Sequence, residues 1–80
     1  MVEVRFTKSA RKHRIGRAHA LAAMTNAGPP QVVDREGDYD ERLVYIGPDD
    51  RGVELEIVAL ALGDLLLVIH VMPTDYRRTR

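Results

Sequence analysis

The chain has no cysteine and no tryptophan, and its 80 residues include one phenylalanine and three tyrosines. The absence of cysteine excludes disulfides, thiolate zinc sites and cysteine nucleophiles, and it fits a reducing compartment. No apolar run comes near the roughly 20 residues that a membrane helix requires. Because residues 1–13 also lack the apolar stretch of a secretion signal, the sequence predicts a cytoplasmic protein without membrane contact.

The motifs of well-known enzyme classes are also missing. The sequence contains no GxSxG, no P-loop, no glycine-rich dinucleotide turn and no HExxH. His13 and His19 are six positions apart, which does not place them on one helical face, and His70 is distant along the chain. We therefore expect neither a bound metal ion nor a cofactor.

The length allows a single domain, 1–80, with a polar tail at 74–80. A domain of this size buries only about 60% of the surface that its unfolded chain exposes, so we expect low intrinsic stability. A partner surface would add stability, which favours a complex or a dimer.

Charge is distributed unevenly along the chain, although 12 cationic and 12 acidic residues cancel. Residues 1–20 carry six Lys or Arg against Glu3 alone, residues 31–64 carry three Arg against ten acids, and the tail is basic again. A basic N-terminal face and tail favour nucleic acid binding, and the acidic middle favours a basic partner. The same pattern is also typical of solvated surfaces, because charge runs alone carry no specificity.

Periodicity predicts an α+β fold. Two N-terminal helices are expected at 9–15 and 17–27, separated by Gly16. Strands are expected at 2–6, 31–34, 41–47, 53–62 and 65–72. Gly63-Asp64 is a two-residue hairpin signal between the last two strands. The expected order is β-α-α-β-β-β-β, with both helices on one face of a twisted antiparallel sheet of about four strands.

The remaining candidate functional residues are cationic and imidazole side chains dispersed along the chain. They are Lys12, His13, Arg42, His70, Arg77 and Arg78. Such a set suits metal-independent cleavage of a phosphodiester in which the ribose 2′-hydroxyl is the nucleophile. Histidine can accept or donate the proton near neutral pH, and arginine stabilises the doubly charged phosphorane.

Each of these residues also has a purely structural interpretation. His13 fits the C-terminal cap of a short helix, and His70 fits an ordinary side chain on a sheet face. Arg42 could pair with an acid across the sheet at little energetic gain. The tail arginines are equally typical of a solvated chain end.

Four fragments in this order resemble the BrnT-type toxins of bacterial type II toxin-antitoxin systems. The fragments are Lys12-His13-Arg14-Ile15, Glu41-Arg42-Leu43-Val44-Tyr45-Ile46-Gly47, Arg51-Gly52-Val53-Glu54-Leu55 and Val68-Ile69-His70-Val71. The similarity covers most of the chain. It implies the compact α+β fold of the RelE and ParE superfamily, whose sheet supports an RNA-cleaving surface or, in the ParE branch, a gyrase-inhibiting one.

The resemblance implies a growth-inhibiting endoribonuclease that cleaves messenger RNA without a metal and blocks translation. A co-encoded DNA-binding antitoxin would neutralise it in a hetero-oligomer, and a homodimer is the other expected assembly. Lys12 and His13 match the Lys-His pair of the family, and Arg42 matches the arginine of its E-R strand. Together with His70 these are the expected catalytic residues. The expected RNA contacts are Arg11, Arg17, Arg77 and Arg78.

One position departs from the family pattern. The last strand of such toxins often reads I-S-A-R, and Met72 here takes the place of the arginine. Methionine cannot stabilise a phosphorane, so either His70 or the pair Arg77 and Arg78 substitutes, or the chain binds without cleaving. The alternatives to a nuclease are a non-catalytic interaction module of the same fold and a ParE-like topoisomerase inhibitor.

Overall fold

Two nine-residue strands joined by a tight hairpin form the centre of the computed structural model, which describes residues 2–33 and 41–75. In chain order the elements are β1 (Glu3–Phe6), a 3₁₀ turn (Ser9–Arg11), α1 (Arg17–Asn26), β2 (Gln31–Val33), β3 (Arg42–Pro48), β4 (Glu54–Leu62) and β5 (Leu65–Pro73). In the hairpin Gly63 has a φ of 62°, a conformation that favours glycine. The predicted hairpin at Gly63-Asp64 is confirmed.

The five strands of the described chain form one mixed sheet with the order β1-β5-β4-β3-β2. The strands from β2 to β5 are antiparallel neighbours, whereas β1 lies parallel to β5, with Phe6 paired to Val68. The prediction of an antiparallel sheet of about four strands is therefore wrong. The reason lies in the path of the chain. After β1 the chain crosses one face of the sheet through α1, and β2 to β5 then alternate in direction. The last strand, β5, runs in the same direction as β1 and pairs with it.

The prediction of two N-terminal helices is also wrong, because residues 2–33 contain one α-helix, α1. Residues 9–15, expected to be helical, form only the 3₁₀ turn and an irregular connection to α1. Arg14 has a φ of 58°, a left-handed conformation that ends a right-handed helix. A segment this short also gains too few hydrogen bonds to offset the cost of helix nucleation.

Within the described residues, 2–33 and 41–75, no helix is long and apolar enough to span a membrane.

The helix α1 packs small side chains against one face of the sheet. Ala20 and Ala23 of the helix are fully buried. The sheet residues in the same core are Leu55, Ile57, Ala59, Val68 and Val71. A Cβ atom on Gly47 would lie 2.7 Å from the Ala27 Cα, so glycine is what allows β3 to approach the end of the helix. The opposite face of the sheet, hereafter the open face, carries the candidate site.

A β-bulge in β5 decides which face of the sheet His70 occupies. Val68 pairs with Ala59 and His70 pairs with Val58, so Ile69 has no partner in β4. In an uninterrupted strand His70 would share the face of Val68, which is buried in the core. The extra residue instead places His70 on the open face, beside Val58.

Candidate active site

The candidate active site is a cavity of about 350 Å³ on the open face. Strands β3, β4 and β5 supply its walls, and the lining residues are Arg42, Glu56, Val58, Ile69, His70 and Met72. The strand register explains this grouping, because Glu56 pairs with Met72 two positions from the pair of Val58 and His70. Two of the predicted catalytic residues, Arg42 and His70, therefore line one cavity although they are far apart in the chain.

His70 lies against a carboxylate. Its Nε2 is 3.5 Å from the Oε1 of Glu56, whose side chain is only 14% exposed. A carboxylate at this distance helps to hold the imidazole in one orientation. Glu56 is not among the residues predicted from the sequence, because its alternation with apolar neighbours in β4 indicates a solvent-facing acid. The strand register, which pairs Glu56 with Met72, is what places it close to His70.

A second imidazole reaches the site from the N-terminal part of the chain. The rings of His13 and His70 meet edge to face, with 6.5 Å between their centroids and an interplanar angle of 78°. At the end of β1 the Thr7 N–H donates to the Val68 carbonyl, and the chain then continues beside β5. The imidazole pair thus depends on the parallel pairing of β1 with β5, which the sequence did not predict.

Lys12, like His13, is a predicted catalytic residue that does not line the cavity. Its backbone N–H donates to the Ser9 carbonyl over 3.2 Å at the end of the 3₁₀ turn, and its side chain is exposed. The C-terminal cap position is therefore taken by Lys12 and not by His13. The alternative interpretation of His13 as a helix cap is wrong.

Met72 lies in the wall of the cavity, close to where the resemblance implies an arginine. Only 9% of its surface is exposed. Among the residues that the structure describes, Arg42 is the arginine that lines this cavity. Arg77 and Arg78, predicted as substitutes for the missing arginine and as RNA contacts, lie outside the described residues.

A second groove, of about 650 Å³, lies along the outer edge of β1, and we call it the arginine groove. Four arginines line it from three parts of the chain, and they are Arg5 in β1, Arg11 and Arg14 before the helix, and Arg17 at the start of α1. The apolar lining consists of Val4, Phe6 and Ile15. Two predicted RNA contacts, Arg11 and Arg17, thus lie in one groove together with two arginines that were not predicted.

The four arginines differ in how they are held. Arg5 donates from Nε to the Oε2 of Glu3 over 2.7 Å. The Arg17 guanidinium lies over the Phe6 ring at 5.5 Å from its centroid and also donates to the backbone carbonyl of Val4. Arg11 and Arg14 take no part in the ion pairs between described residues. Their side chains are therefore available to an anion.

The third histidine belongs to a separate cluster at the turn after β3. His19 contacts Asp50, and ligand atoms of His19, Asp49 and Asp50 all lie within 4.8 Å of one another. Asp49 is buried and accepts hydrogen bonds from the backbone N–H groups of Arg51 and Val53 and from the Arg51 guanidinium. Burial alone would raise the pKa of Asp49, but these hydrogen bonds outweigh it and hold the pKa below its usual value. The cluster is explained by its role in the turn.

Comparison with protein-family models, with curated proteins and with solved structures finds no match to this chain. The functional interpretation therefore depends on the residues and their geometry. The resemblance to BrnT-type toxins is an expectation from four sequence fragments.

Proposed function

We propose that this protein is a metal-independent ribonuclease that cleaves RNA by attack of a ribose 2′-hydroxyl on the adjacent phosphate. The observation that carries the proposal is the contact between His13 and His70 beside the cavity that Arg42 lines. The reaction needs a group that accepts a proton, a group that donates one, and a cation that stabilises the added charge on phosphorus. Two imidazoles and a guanidinium supply these three functions at one place.

The chemical steps balance with these groups. One imidazole removes the proton of the 2′-hydroxyl while its oxygen bonds to phosphorus. The bond from phosphorus to the 5′-oxygen breaks, and the protonated partner imidazole gives its proton to that oxygen. The products are a 2′,3′-cyclic phosphate and a 5′-hydroxyl. Arg42 donates N–H groups to the phosphate oxygens, on which negative charge increases.

The ring contact supports a position for the phosphate beside the two imidazoles. Because His13 and His70 touch edge to face, a phosphodiester does not fit between the rings as they stand. It binds instead beside the pair, over the cavity, where it can reach Arg42 as well as both imidazoles. Glu56 then acts as a positioning residue, since its carboxylate contacts the imidazole of His70.

The biological role within this proposal is that of a toxin in a type II toxin-antitoxin system of a bacterium. The order of the four BrnT-like fragments supports it. In this role the protein acts in the cytoplasm on messenger RNA, arrests translation and growth, and is held inactive in a complex with a co-encoded DNA-binding antitoxin. A small neighbouring reading frame for a DNA-binding protein, together with growth arrest on induced expression, would support this role.

The test of the nuclease activity uses single-stranded RNA with EDTA present. Wild-type protein is expected to release discrete products, and His13→Ala and His70→Ala are each expected to lower the rate about 100-fold or more. His19→Ala is the matched control, because this imidazole contacts Asp50 and not the site. Its rate is expected to stay within about twofold of wild type. An equal loss in all three variants, or uncut RNA at protein excess, contradicts the proposal.

A second candidate is a non-catalytic RNA-binding module, which the replacement of the expected arginine by Met72 favours. Under this candidate the cavity binds phosphate through Arg42 and lacks enough positive charge for the transition state. Wild-type protein would then slow RNA in a gel without producing fragments, and Arg42→Ala would weaken that shift. Fragments that disappear with His70→Ala would exclude this candidate.

A further inference from the structure

We propose that the arginine groove binds one nucleotide of single-stranded RNA next to the bond that is cleaved at the imidazole pair. This inference rests on the proposed function and names the part of the substrate that the groove takes. Arg11 and Arg14 bind the phosphate, and the platform formed by Arg17 and Phe6 takes the base.

The size and lining of the groove fit a nucleotide. Its volume of about 650 Å³ lies within the range of about 300–1,000 Å³ that is usual for small-ligand sites. The lining combines arginines with the apolar side chains of Val4, Phe6 and Ile15. A nucleotide presents the same combination, with an anionic phosphate at one end and a flat base at the other.

The base platform is already assembled. Arg17 is held twice, since its guanidinium lies over the Phe6 ring and its Nη2 donates to the Val4 carbonyl over 3.2 Å. A planar guanidinium that is fixed in this way offers a surface for stacking at a low cost in side-chain entropy. Bases of single-stranded RNA commonly stack on aromatic rings and on arginine planes.

The phosphate is expected at Arg11 and Arg14. Neither side chain is engaged in the ion pairs of the described chain, whereas Arg5 is partly neutralised by Glu3. Arginine binds phosphate through two parallel N–H groups and keeps its charge at all relevant pH values. His13 lies between Arg11 and Arg14 in the chain, so one connection positions both the phosphate contacts and an imidazole of the cleavage site.

An acidic peptide would also satisfy arginine side chains. The groove favours a nucleotide because it contains a stacking platform and because it shares the connection 11–17 with the imidazole pair. A peptide would use the charges and leave the platform without a specific role. The experiment therefore includes an acidic peptide as a competing ligand.

The test measures binding of a 2′-O-methyl hexanucleotide, which lacks the nucleophilic hydroxyl and stays intact. Fluorescence anisotropy is recorded over a range of salt concentrations for wild type, Arg11→Gln, Arg14→Gln and Lys8→Gln. Lys8 is the matched control, because it is an exposed cation beside the same turn and does not line the groove. We expect Kd to rise about five- to tenfold for each arginine variant and less than about twofold for Lys8→Gln. The slope of log Kd against log salt should fall by about 0.7 for each arginine.

The possible results separate this inference from the proposed function. An equal rise in Kd for all three variants would contradict nucleotide binding in the arginine groove. Tighter binding of a hexaglutamate peptide than of the oligonucleotide would contradict it as well. If the arginine variants lose binding and the wild-type protein never cuts unmodified RNA, the groove binds a nucleotide but the proposed nuclease activity is wrong. Cleavage of unmodified RNA combined with unchanged binding in the arginine variants overturns the groove alone. Far-UV circular dichroism checks that each variant is folded, and Arg11→Lys should recover part of the affinity because it keeps the charge.

Discussion

His13 and His70 contact each other edge to face with 6.5 Å between ring centroids. The contact depends on two features of the backbone. The parallel pairing of β1 with β5 brings the segment of His13 alongside the last strand, and the bulge at Ile69 turns His70 out of the core. Both features also build the core, because Val4 and Phe6 of β1 pack against it and the bulge places Val68 and Val71 together on the buried face. The candidate site therefore depends on the same backbone features as the core.

The two imidazoles are expected to act as one unit in cleavage. Removing either imidazole should therefore lower the cleavage rate nearly as much as removing both, because a single remaining imidazole cannot complete both proton transfers. Single-turnover rates on one RNA oligonucleotide should differ by less than about tenfold between His13→Ala, His70→Ala and the double variant. If the two losses multiply instead, the imidazoles act independently and the assigned roles are incorrect.

Arg42 is expected to stabilise the transition state through its charge and its geometry. Arg42→Gln should lower kcat about 100-fold or more, which is the usual cost of removing one such group. Arg42→Lys should recover part of this loss, because the charge stays and the paired N–H donors are lost. A change confined to KM, with kcat unaltered, would assign Arg42 to substrate binding alone.

Gly47 is expected to be essential for packing of the helix on β3. A Cβ at this position would lie 2.7 Å from the Ala27 Cα, and backbone cannot move aside as a flexible side chain does. Gly47→Ala should lower the free energy of unfolding by about 1–3 kcal/mol, as measured by urea denaturation. Gly16→Ala is the control, since its Cβ would make an ordinary 3.5 Å contact with His19, and it should cost less than about 1 kcal/mol. Equal losses would show that the close approach is not the cause.

Asp49 is expected to make stability depend on pH in the acidic range. Its pKa in the folded protein lies below the ordinary value of 3.8, so the unfolded chain binds its proton more readily. Its contribution is therefore fully present above about pH 3.8 and is lost as the pH falls through the lower, folded pKa. Asp49→Asn should lower the thermal midpoint by several degrees at pH 7. Below pH 3.8 the difference in thermal midpoint between this variant and wild type should become smaller.

Asp64→Asn is the control for this pH dependence, because Asp64 lies in the hairpin and outside the turn that Asp49 organises. Its thermal midpoint should follow that of wild type across the same range. A gap between Asp49→Asn and wild type that stays constant down to pH 2 would contradict the assignment.

The local elements could be predicted from the sequence, because they depend on neighbouring residues. The observed bounds of α1 and of each described strand agree with the predicted ones to within one residue. The buried residues of β4, Leu55, Ile57 and Ala59, alternate along the strand, as expected for a strand with one face in the core. The helix expected at 9–15 was wrong because the left-handed Arg14 has no signal in its side chain.

The site was predicted only in part, for a different reason. Residue chemistry selected His13, Arg42 and His70, but nothing local indicated that they would lie together. Their grouping follows from strand order and from a bulge, which are set by the packing of the whole chain. Glu56 was missed because its burial depends on the neighbouring strand, and the arginine groove was missed because its members come from separate elements.

The central claim is that the ribose hydroxyl of the substrate is the nucleophile. The most direct measurement uses a DNA oligonucleotide with a single ribonucleotide, incubated with the wild-type protein in EDTA and analysed by mass spectrometry. We expect one cut, immediately after the ribose, with a 2′,3′-cyclic phosphate on one fragment and a 5′-hydroxyl on the other. An intact oligonucleotide at protein excess, or cuts at deoxyribose positions, would contradict the claim.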